Sequence, residues 1–576
     1  MANSNSVVLS RSTQGNVALP NRCLALSWFF CAFIVLAVGQ SLYGQTGSSD
    51  ASSEVPHQVV RINELVEQVW QDFNLQPSSP ASDYEWCRRV YLDVLGRIPS
   101  VEEVDSFVGS KSSDKRSELA HKLLYSDDYT EELARNWATL WSNMLIGRTG
   151  GTANDSMVSR AGMSKYLRDS FARNKPYDRM VHELITASGH SRPGADNFNG
   201  AVNFLIDKVN DDGAAQATAA VSKLFLGLQV QCTQCHNHPF NDWKQQKYWE
   251  FNAFFRQVRA FRGATDAASP QLVDQDFRGE SGNADEADLF YELRNGLLKV
   301  AFPVFVDGTE IPRSGYVMVS NRRHELARLV TESPFLGMVA VNRTWEHFLG
   351  YGFTKPVDDL GPHNAPSNPA LLAYLADEFQ RSGYDLRQLS MWIILSRPYG
   401  LSSRKTKNNE SDDPLLGASP KFSHFYLRQM RAEELYESLL VASGAGANQG
   451  TYEQQEERRN RWLQQFVTAF GTDEGDESTT FNGTIPQVLM MFNGEMVQAA
   501  LADQSGTLLY DLMANNQWTI PQKVDRLFMA GLSRPATRDE KNLAQQLIQA
   551  RRGDVREGLK DLWWVILNTN EFIFNH

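Results

Sequence analysis

Residues 127–145 read DDYTEELARNWATLWSNML and carry the pattern that predicts the fold class. Large apolar side chains recur in this stretch every three or four residues, which places them on one face of an α-helix. The same spacing recurs along most of the chain, so the sequence predicts a mainly α-helical, multi-helix protein. Stripes of this kind are usually packed in a core. The members of this stripe are Leu133, Trp137, Leu140, Trp141 and Met144.

Further helices are predicted on both sides of this stretch. Ser100 and Glu103 have the spacing of a capping box, in which each side chain satisfies a backbone N–H at a helix start. Residues 421–576 are predicted to be helical, with an acidic loop at 472–480. The other predicted helices lie at 59–73, 157–173, 176–187, 213–229, 244–258, 321–330, 335–349, 369–382 and 386–396.

Two segments interrupt the helical pattern. Residues 261–297 are acidic, rich in Gly and weakly patterned, so we expect an exposed loop. Residues 300–306 are rich in Val and Phe and precede Asp307-Gly308, a turn dipeptide. This combination predicts a small β element near residues 298–320. Residues 403–420 carry the composition of a linker or loop.

Two segments, one near each end of the chain, have weakly similar sequences. Residues 90–103 and residues 527–540 both show a helix, an Arg, a Pro and a capping box, in that order. Two copies do not define a repeat architecture. Chance recurrence of the residues that commonly begin helices explains the similarity equally well.

The N-terminal sequence indicates the cellular compartment of the protein, and the net charge indicates which partners it can bind. Arg11 and Arg22 precede an apolar run over residues 23–39, which is typical of a secretory signal peptide or of a short uncleaved anchor. We expect residues 1–39 to direct export to the periplasm or cell envelope, with 40–56 as a linker. The net charge is −12 without a basic block, which argues against nucleic acid as a partner.

The run from Cys232 to His238 is the strongest functional motif. Cys232, Cys235 and His236 form a Cys-x-x-Cys-His pattern, typical of covalent haem c attachment through two thioethers and an axial His. The sequence leaves the sixth iron ligand open, because His238 is too near to reach the opposite face of the iron. The remote candidates are His363, His347 and Met318.

Other interpretations of these residues remain open. Cys232, Cys235 and His238, with or without His236, could bind Zn²⁺ or another transition metal, with His363 as a further ligand. The two thiols could instead form a structural or redox-active disulfide. The loop from Asp358 to Asn368 carries His363 beside two carboxylates and is constrained by Pro. We therefore expect it to pack close to Cys232–His238.

Short segments spread over most of the chain match a known pattern. They are Arg88–Asp93, Gly96–Pro99, Asn174–Asp178, Gly200–Phe204, Cys232–Phe240, Tyr248-Trp249, Ala253–Phe255, Val341–Phe348, Pro356–Asp359, Gly361–Pro369 and Asn568–His576. Through these segments the chain resembles the exported planctomycete proteins that join a cytochrome-c-like domain to a second, planctomycete-specific domain, both of unknown function. The resemblance implies a first domain at 57–260 and a second domain at 298–576, and it implies little about activity.

These observations predict an exported redox protein with haem c, serving a redox partner protein. The alternative is a non-haem metalloprotein, either a hydrolase or a module that binds an extracellular polymer. A third interpretation is a structural envelope protein in which the Cys–His cluster cross-links the fold through a metal ion or a disulfide. No phosphate-binding glycine loop and no Gly-x-Ser-x-Gly elbow is present, and the sequence identifies no catalytic residue.

Overall fold

The computed structural model describes residues 55–151, 153, 155–209, 213–239, 243–262, 269–444, 451, 454–462 and 494–576. Residues Val55–His576 form one compact unit. The predicted signal or anchor, most of the predicted linker and the predicted acidic loop at 472–480 lie outside the described residues. None of the helices described combines the length and the apolar character that a membrane crossing requires.

The fold is mainly α-helical, as predicted. The first half of the unit contains nine α-helices among its described residues, and the second half contains twelve. The first nine are α1 (His57–Asp72), α2 (Asp83–Leu95), α3 (Val101–Gly109), α4 (Lys115–Tyr125), α5 (Asp127–Ile146), α6 (Arg160–Ala172), α7 (Tyr177–Thr186), α8 (Ala215–Leu226) and α9 (Gln245–Asn252). The others are α10 (Arg322–Glu332), α11 (Pro334–Leu349), α12 (Pro369–Arg381), α13 (Leu386–Ile394), α14 (Ala432–Ser443), α15 (454–462), α16 (Glu495–Ala500), α17 (Leu508–Ala514), α18 (Ile520–Leu532), α19 (Arg538–Ala550), α20 (Val555–Leu567) and α21 (Asn570–Ile573).

Helix α5 is the longest of these and shows why its sequence is helical. Ser126 caps its first turn by accepting a hydrogen bond from the Asp128 N–H, and acidic residues there complement the helix dipole. Leu133, Trp137 and Trp141 of the predicted stripe are buried, and the two remaining members pack against the same core. The predicted helix and its apolar face are confirmed.

In the part of the chain that the structure describes, short strands form three small antiparallel sheets. β1 (Gly189–His190), β3 (Gln271–Asp274) and β2 (Val258–Phe261) form one sheet in that order. β4 (Leu289–Glu292) pairs with β5 (Leu298–Ala301), and β6 (Arg428–Gln429) pairs with β7 (Phe574–Asn575).

The prediction of a β element near residues 298–320 is confirmed by β5 and by a bridge between Val304 and Glu310. The prediction of a plain loop over 261–297 was wrong, because β3 and β4 lie there. β4 carries a local signal, because the Asn295-Gly296 dipeptide between β4 and β5 is a hairpin turn sequence. β3 depends on a distant partner, since Leu272 pairs with Gly189.

A buried polar cluster, here called the Asp93 cluster, joins the two halves of the unit. It consists of Asp93, Tyr399, Arg428, Glu434 and Asn575. Asp93 is fully buried and accepts hydrogen bonds from the Tyr399 hydroxyl at 2.7 Å and from Asn575 Nδ2 at 2.8 Å. Arg428 pairs with both Asp93 and Glu434. Helix α2 is thereby tied to the last residues of the chain.

The weak internal similarity corresponds to the same local arrangement at both places. Arg97 donates two hydrogen bonds to the capping-box residue Glu103, at 2.8 and 3.0 Å. Arg534 donates two to Glu540, at 3.0 and 2.9 Å. Each guanidinium also reaches a second carboxylate from a later helix, Glu132 in the first case and Glu571 in the second.

Candidate functional site

The Cys–His turn, residues 231–238, begins with a short 3₁₀ helix, Gln231–Gln234. Thr233 is buried, and its hydroxyl donates to the Val230 carbonyl at 2.5 Å, which anchors the inner side of the turn. Cys232 and Cys235 lie on the outer side, and both are exposed free thiols. The structure therefore lacks the Cys232–Cys235 disulfide that was one alternative. Partial burial raises the pKa of the Cys232 thiol.

His236 is half-buried, and its ring is oriented by its neighbour. His236 Nδ1 lies 2.7 Å from the Asn237 carbonyl oxygen. Since a carbonyl only accepts, this contact assigns the proton to Nδ1 and leaves the lone pair on Nε2. A hydrogen bond from one ring nitrogen to a carbonyl is the usual support for a histidine whose other nitrogen binds a metal.

The loop Asp358–Asn368 packs against the segment that leads into this turn, as predicted. The Leu360 N–H donates to the Gly227 carbonyl at 2.8 Å, and a Cβ at Gly227 would lie 2.9 Å from the Leu360 side chain. Gln229 Nε2 donates to Asp358 Oδ1 at 3.0 Å. The close approach of the two backbones thus depends on a glycine at position 227.

His363 is the residue of that loop that reaches the Cys–His turn. Its ring centroid lies 5.4 Å from that of His238, with 37° between the ring planes. His363 Nε2 is 2.9 Å from Asp359 Oδ2, so a buried carboxylate holds the ring. A side chain at Gly361 would collide with this pair, because a Cβ there would lie 2.6 Å from the His363 ring.

The histidines influence one another electrostatically. Burial, the neighbouring His363 and, to a lesser extent, His236 lower the pKa of His238, while Asp359 acts in the opposite direction. His238 is therefore biased towards the neutral form, the form in which imidazole binds metals. Within the described residues, no group of three or more His, Cys, Asp or Glu side chains is already arranged around a metal position.

The other remote ligand candidates lie in different environments. His347 has both ring nitrogens engaged, Nε2 with the Asp93 carbonyl at 2.8 Å and Nδ1 with Arg431 at 3.3 Å. Burial and the nearby Arg431 and Arg428 lower its pKa to about 3. Met318 is 96% exposed, so nothing packs its sulfur into a site. His363 alone among the three is brought beside the turn.

Arg343 has a structural role beside this loop. It lies 4.0 Å from Asp358 and donates to the Leu224 carbonyl at 3.1 Å. Asp358 also faces Lys223 at 3.4 Å, so this carboxylate is balanced by two cations.

Sequence reasoning missed two residues that contact the turn. Gln245 and Trp249 of helix α9 both donate to the Gln234 carbonyl, each at 3.1 Å. Their spacing of four residues was the available signal, but polar atoms on a helix face do not by themselves identify a partner. The contact depends on how α9 packs against the 3₁₀ helix.

These features define a mainly helical, two-domain protein in which a Cys–His turn of the first domain meets a His–Asp loop of the second. Residues 61–260 match the family model PSCyt2, described as a protein of unknown function (DUF1549). Residues 322–548 match the family model PSD1, described as a protein of unknown function (DUF1553). The chain contains both of these domains. No curated protein and no solved structure matches it.

Proposed function

We propose that this protein is an exported redox protein that carries haem c on the Cys–His turn. Cys232 and Cys235 would form the thioethers, and His236 would be the axial ligand. The observation that carries the proposal is the state of these three side chains on one turn. Two free, exposed thiols lie three residues apart, beside an imidazole held through Nδ1.

The residues present fit the group in three respects. The exposed thiols are accessible for covalent attachment, and the turn places both on its outer side. The Nδ1 contact leaves His236 Nε2 for an axial bond. A haem bound there would take up and release single electrons, with a potential set by its axial ligands and its burial.

His363 supports this proposal because, among the three candidates for a remote axial ligand, it is the best placed. It is the one of the three remote candidates that lies beside the turn, and Asp359 fixes its ring. A ligand from the second domain would couple the state of the cofactor to the packing of both domains.

Export completes the proposal, since haem c is attached outside the cytoplasm. The apolar run at 23–39 and the basic residues before it are the support for this step. N-terminal sequencing of the native protein tests it. Processing close to residue 39 is expected, and an intact Met1 on membrane-bound protein would indicate an anchor instead.

The haem proposal is tested on protein made in a host that matures haem c. A pyridine haemochrome spectrum and a denatured mass increased by one haem are expected, and Cys232→Ala with Cys235→Ala should abolish both. Cys87→Ala is the matched control, because Cys87 is a buried thiol of helix α2 and is not part of the turn. A denatured mass equal to that of the bare polypeptide would refute the proposal.

A second candidate is a non-haem transition-metal ion bound by histidines of both domains. The close approach of His238 and His363, with Asp359 behind His363, specifically favours it. His238→Ala should then weaken binding of added Zn²⁺ by a large factor while it leaves a haem spectrum intact. Loss of covalent haem on this single change would contradict the assignment of His238 to a separate ion.

A further inference from the structure

Helix α9 holds the Cys–His turn through two side chains on one face. Gln245 Nε2 and Trp249 Nε1 each donate to the Gln234 carbonyl at 3.1 Å. A carbonyl oxygen has two lone pairs, so both hydrogen bonds can form at once. The peptide group between Gln234 and Cys235 is therefore fixed from two positions of the helix.

The start of α9 also holds the residue that orients the His236 ring. The Gln245 N–H donates to Asn237 Oδ1 at 3.0 Å, and the N-cap residue Lys244 provides no side-chain cap of its own. Asn237 thus caps the helix from outside while its carbonyl contacts His236 Nδ1. One residue links the backbone of α9 to the imidazole.

A second bond of the Gln245 side chain ties the turn to the neighbouring sheet. Gln245 Nε2 donates to the Glu292 carbonyl at 3.0 Å, at the end of β4. Gln245 is only 5% exposed, so water competes poorly for these bonds. Trp249 stacks on Tyr291 of β4, with centroids 6.0 Å apart, which strengthens the same junction.

We propose that Gln245 is the positioning residue of the cofactor site. It touches neither thiol nor imidazole, and it acts through Gln234 and Asn237 by fixing the Cys235 backbone relative to the His236 ring. The inference rests on the proposed function for the identity of the cofactor. The contacts themselves belong to the polypeptide, so they can be tested separately.

The test uses Gln245→Met, which keeps the length and approximate volume of the side chain and removes both of its N–H donors. The Gln234 and Glu292 carbonyls then each lose a buried donor, while the backbone bond to Asn237 can still form. Gln246→Met is the matched control, because Gln246 is exposed and bonds only to Glu250, at 2.6 Å.

Two readouts are taken on the full-length protein, after urea unfolding has established that each variant is folded. Amide hydrogen exchange in a peptide covering residues 231–239 should be at least tenfold faster in Gln245→Met than in Gln246→Met. The reduction equilibrium of the haem protein against a redox dye should shift at least tenfold, which is about 59 mV for one electron. A purely structural role would leave the reduction equilibrium unchanged.

Trp249→Phe is the second variant, in case Gln245→Met fails to fold. It removes one donor to Gln234 and keeps an aromatic ring against Tyr291, so both readouts should shift in the same direction by a smaller factor. Unchanged exchange, or faster exchange with an unchanged reduction equilibrium, would overturn the proposal.

Failure of the haem proposal can be distinguished from failure of the positioning role, because the wild-type protein itself would then lack a haemochrome spectrum. The dissociation constant of added Zn²⁺ then replaces the reduction equilibrium as the second readout, with the same tenfold criterion. Equal Zn²⁺ affinities in Gln245→Met and Gln246→Met would again overturn the positioning role.

Discussion

Two polar clusters join the halves of this protein, and they differ in burial and in the pairing of their charged groups. The Asp93 cluster is buried, and its charged side chains are paired with one another. The Cys–His turn is exposed, and its thiols are unbridged. Polar side chains are thus buried and paired in one place and remain accessible in the other.

The two histidines considered as remote ligands make the contrast specific. His347 packs 5.1 Å from the Trp137 ring and uses both nitrogens within the protein. His363 lies at the surface between two loops, with a 27% exposed side chain. Exposure and hydrogen bonding, rather than residue type, separate a structural histidine from a candidate ligand.

The largest expected effect comes from breaking the buried pair in the first cluster. Asp93→Asn removes the charge that faces Arg428, and we expect a loss of about 3–5 kcal/mol in the free energy of unfolding, measured in urea. Asp377→Asn is the matched control, because Asp377 forms an exposed pair with Arg381 and should cost less than about 1 kcal/mol. Equal losses in the two variants would show that the buried pair stabilises the protein no more than an exposed pair does.

The second prediction concerns the pH dependence of the same cluster. Burial by itself raises the pKa of Glu434, but Arg428 and Arg431 outweigh it and bring the pKa to about 2. The unfolded chain has an ordinary value of about 4.3. The stabilisation by Glu434 is therefore complete above about pH 4.3 and is lost as the pH falls towards about 2.

The measurement compares wild type with Glu434→Gln between pH 7 and pH 2. The difference in unfolding free energy between them should shrink by about 3 kcal/mol over that range, because only the wild-type carboxylate titrates there. A difference that stays constant with pH would contradict the assignment of a depressed pKa to Glu434.

The third prediction tests the structural role of His347. His347→Ala removes a ring packed against Trp137 and Phe348 and two hydrogen bonds, and we expect a loss of about 2–4 kcal/mol in unfolding free energy. Haem or metal content per folded molecule should not change. A variant that folds but lacks its cofactor would instead identify His347 as a ligand. The distinction between a structural His347 and a ligating His363 would then be wrong.

The smallest effect on stability is expected at His363. Because its side chain is partly exposed, His363→Ala should change the unfolding free energy by less than about 1 kcal/mol. If the two domains share an ion, affinity for added Zn²⁺ should fall by about 10–100-fold. His57→Ala, at an exposed histidine of α1, is the control, and equal affinities in the two variants would remove His363 from the site.

The sequence predicted the helices well because their apolar faces repeat over three or more turns. Residues 127–145 show this, and so does the capping box of Ser100 and Glu103, where local hydrogen bonds decide the helix start. Within 261–297, β3 was missed because its partners lie elsewhere in the chain, whereas β4 was marked by the Asn295-Gly296 turn that joins it to β5. The sequence also predicted the packing of the His363 loop, since a Pro-constrained loop with a His and carboxylates is unusual. It could not predict Gln245, whose partner is set by tertiary packing.

By itself, the sequence determined the helical class and the spacing of the Cys–His motif, because each of these is encoded in local pattern. Only the tertiary structure decided which histidine lies beside that motif. The choice depends on the Gly227–Leu360 contact and on the burial of His347, which bring together residues more than a hundred positions apart. Such contacts arise from the packing of whole helices, and no local pattern records them.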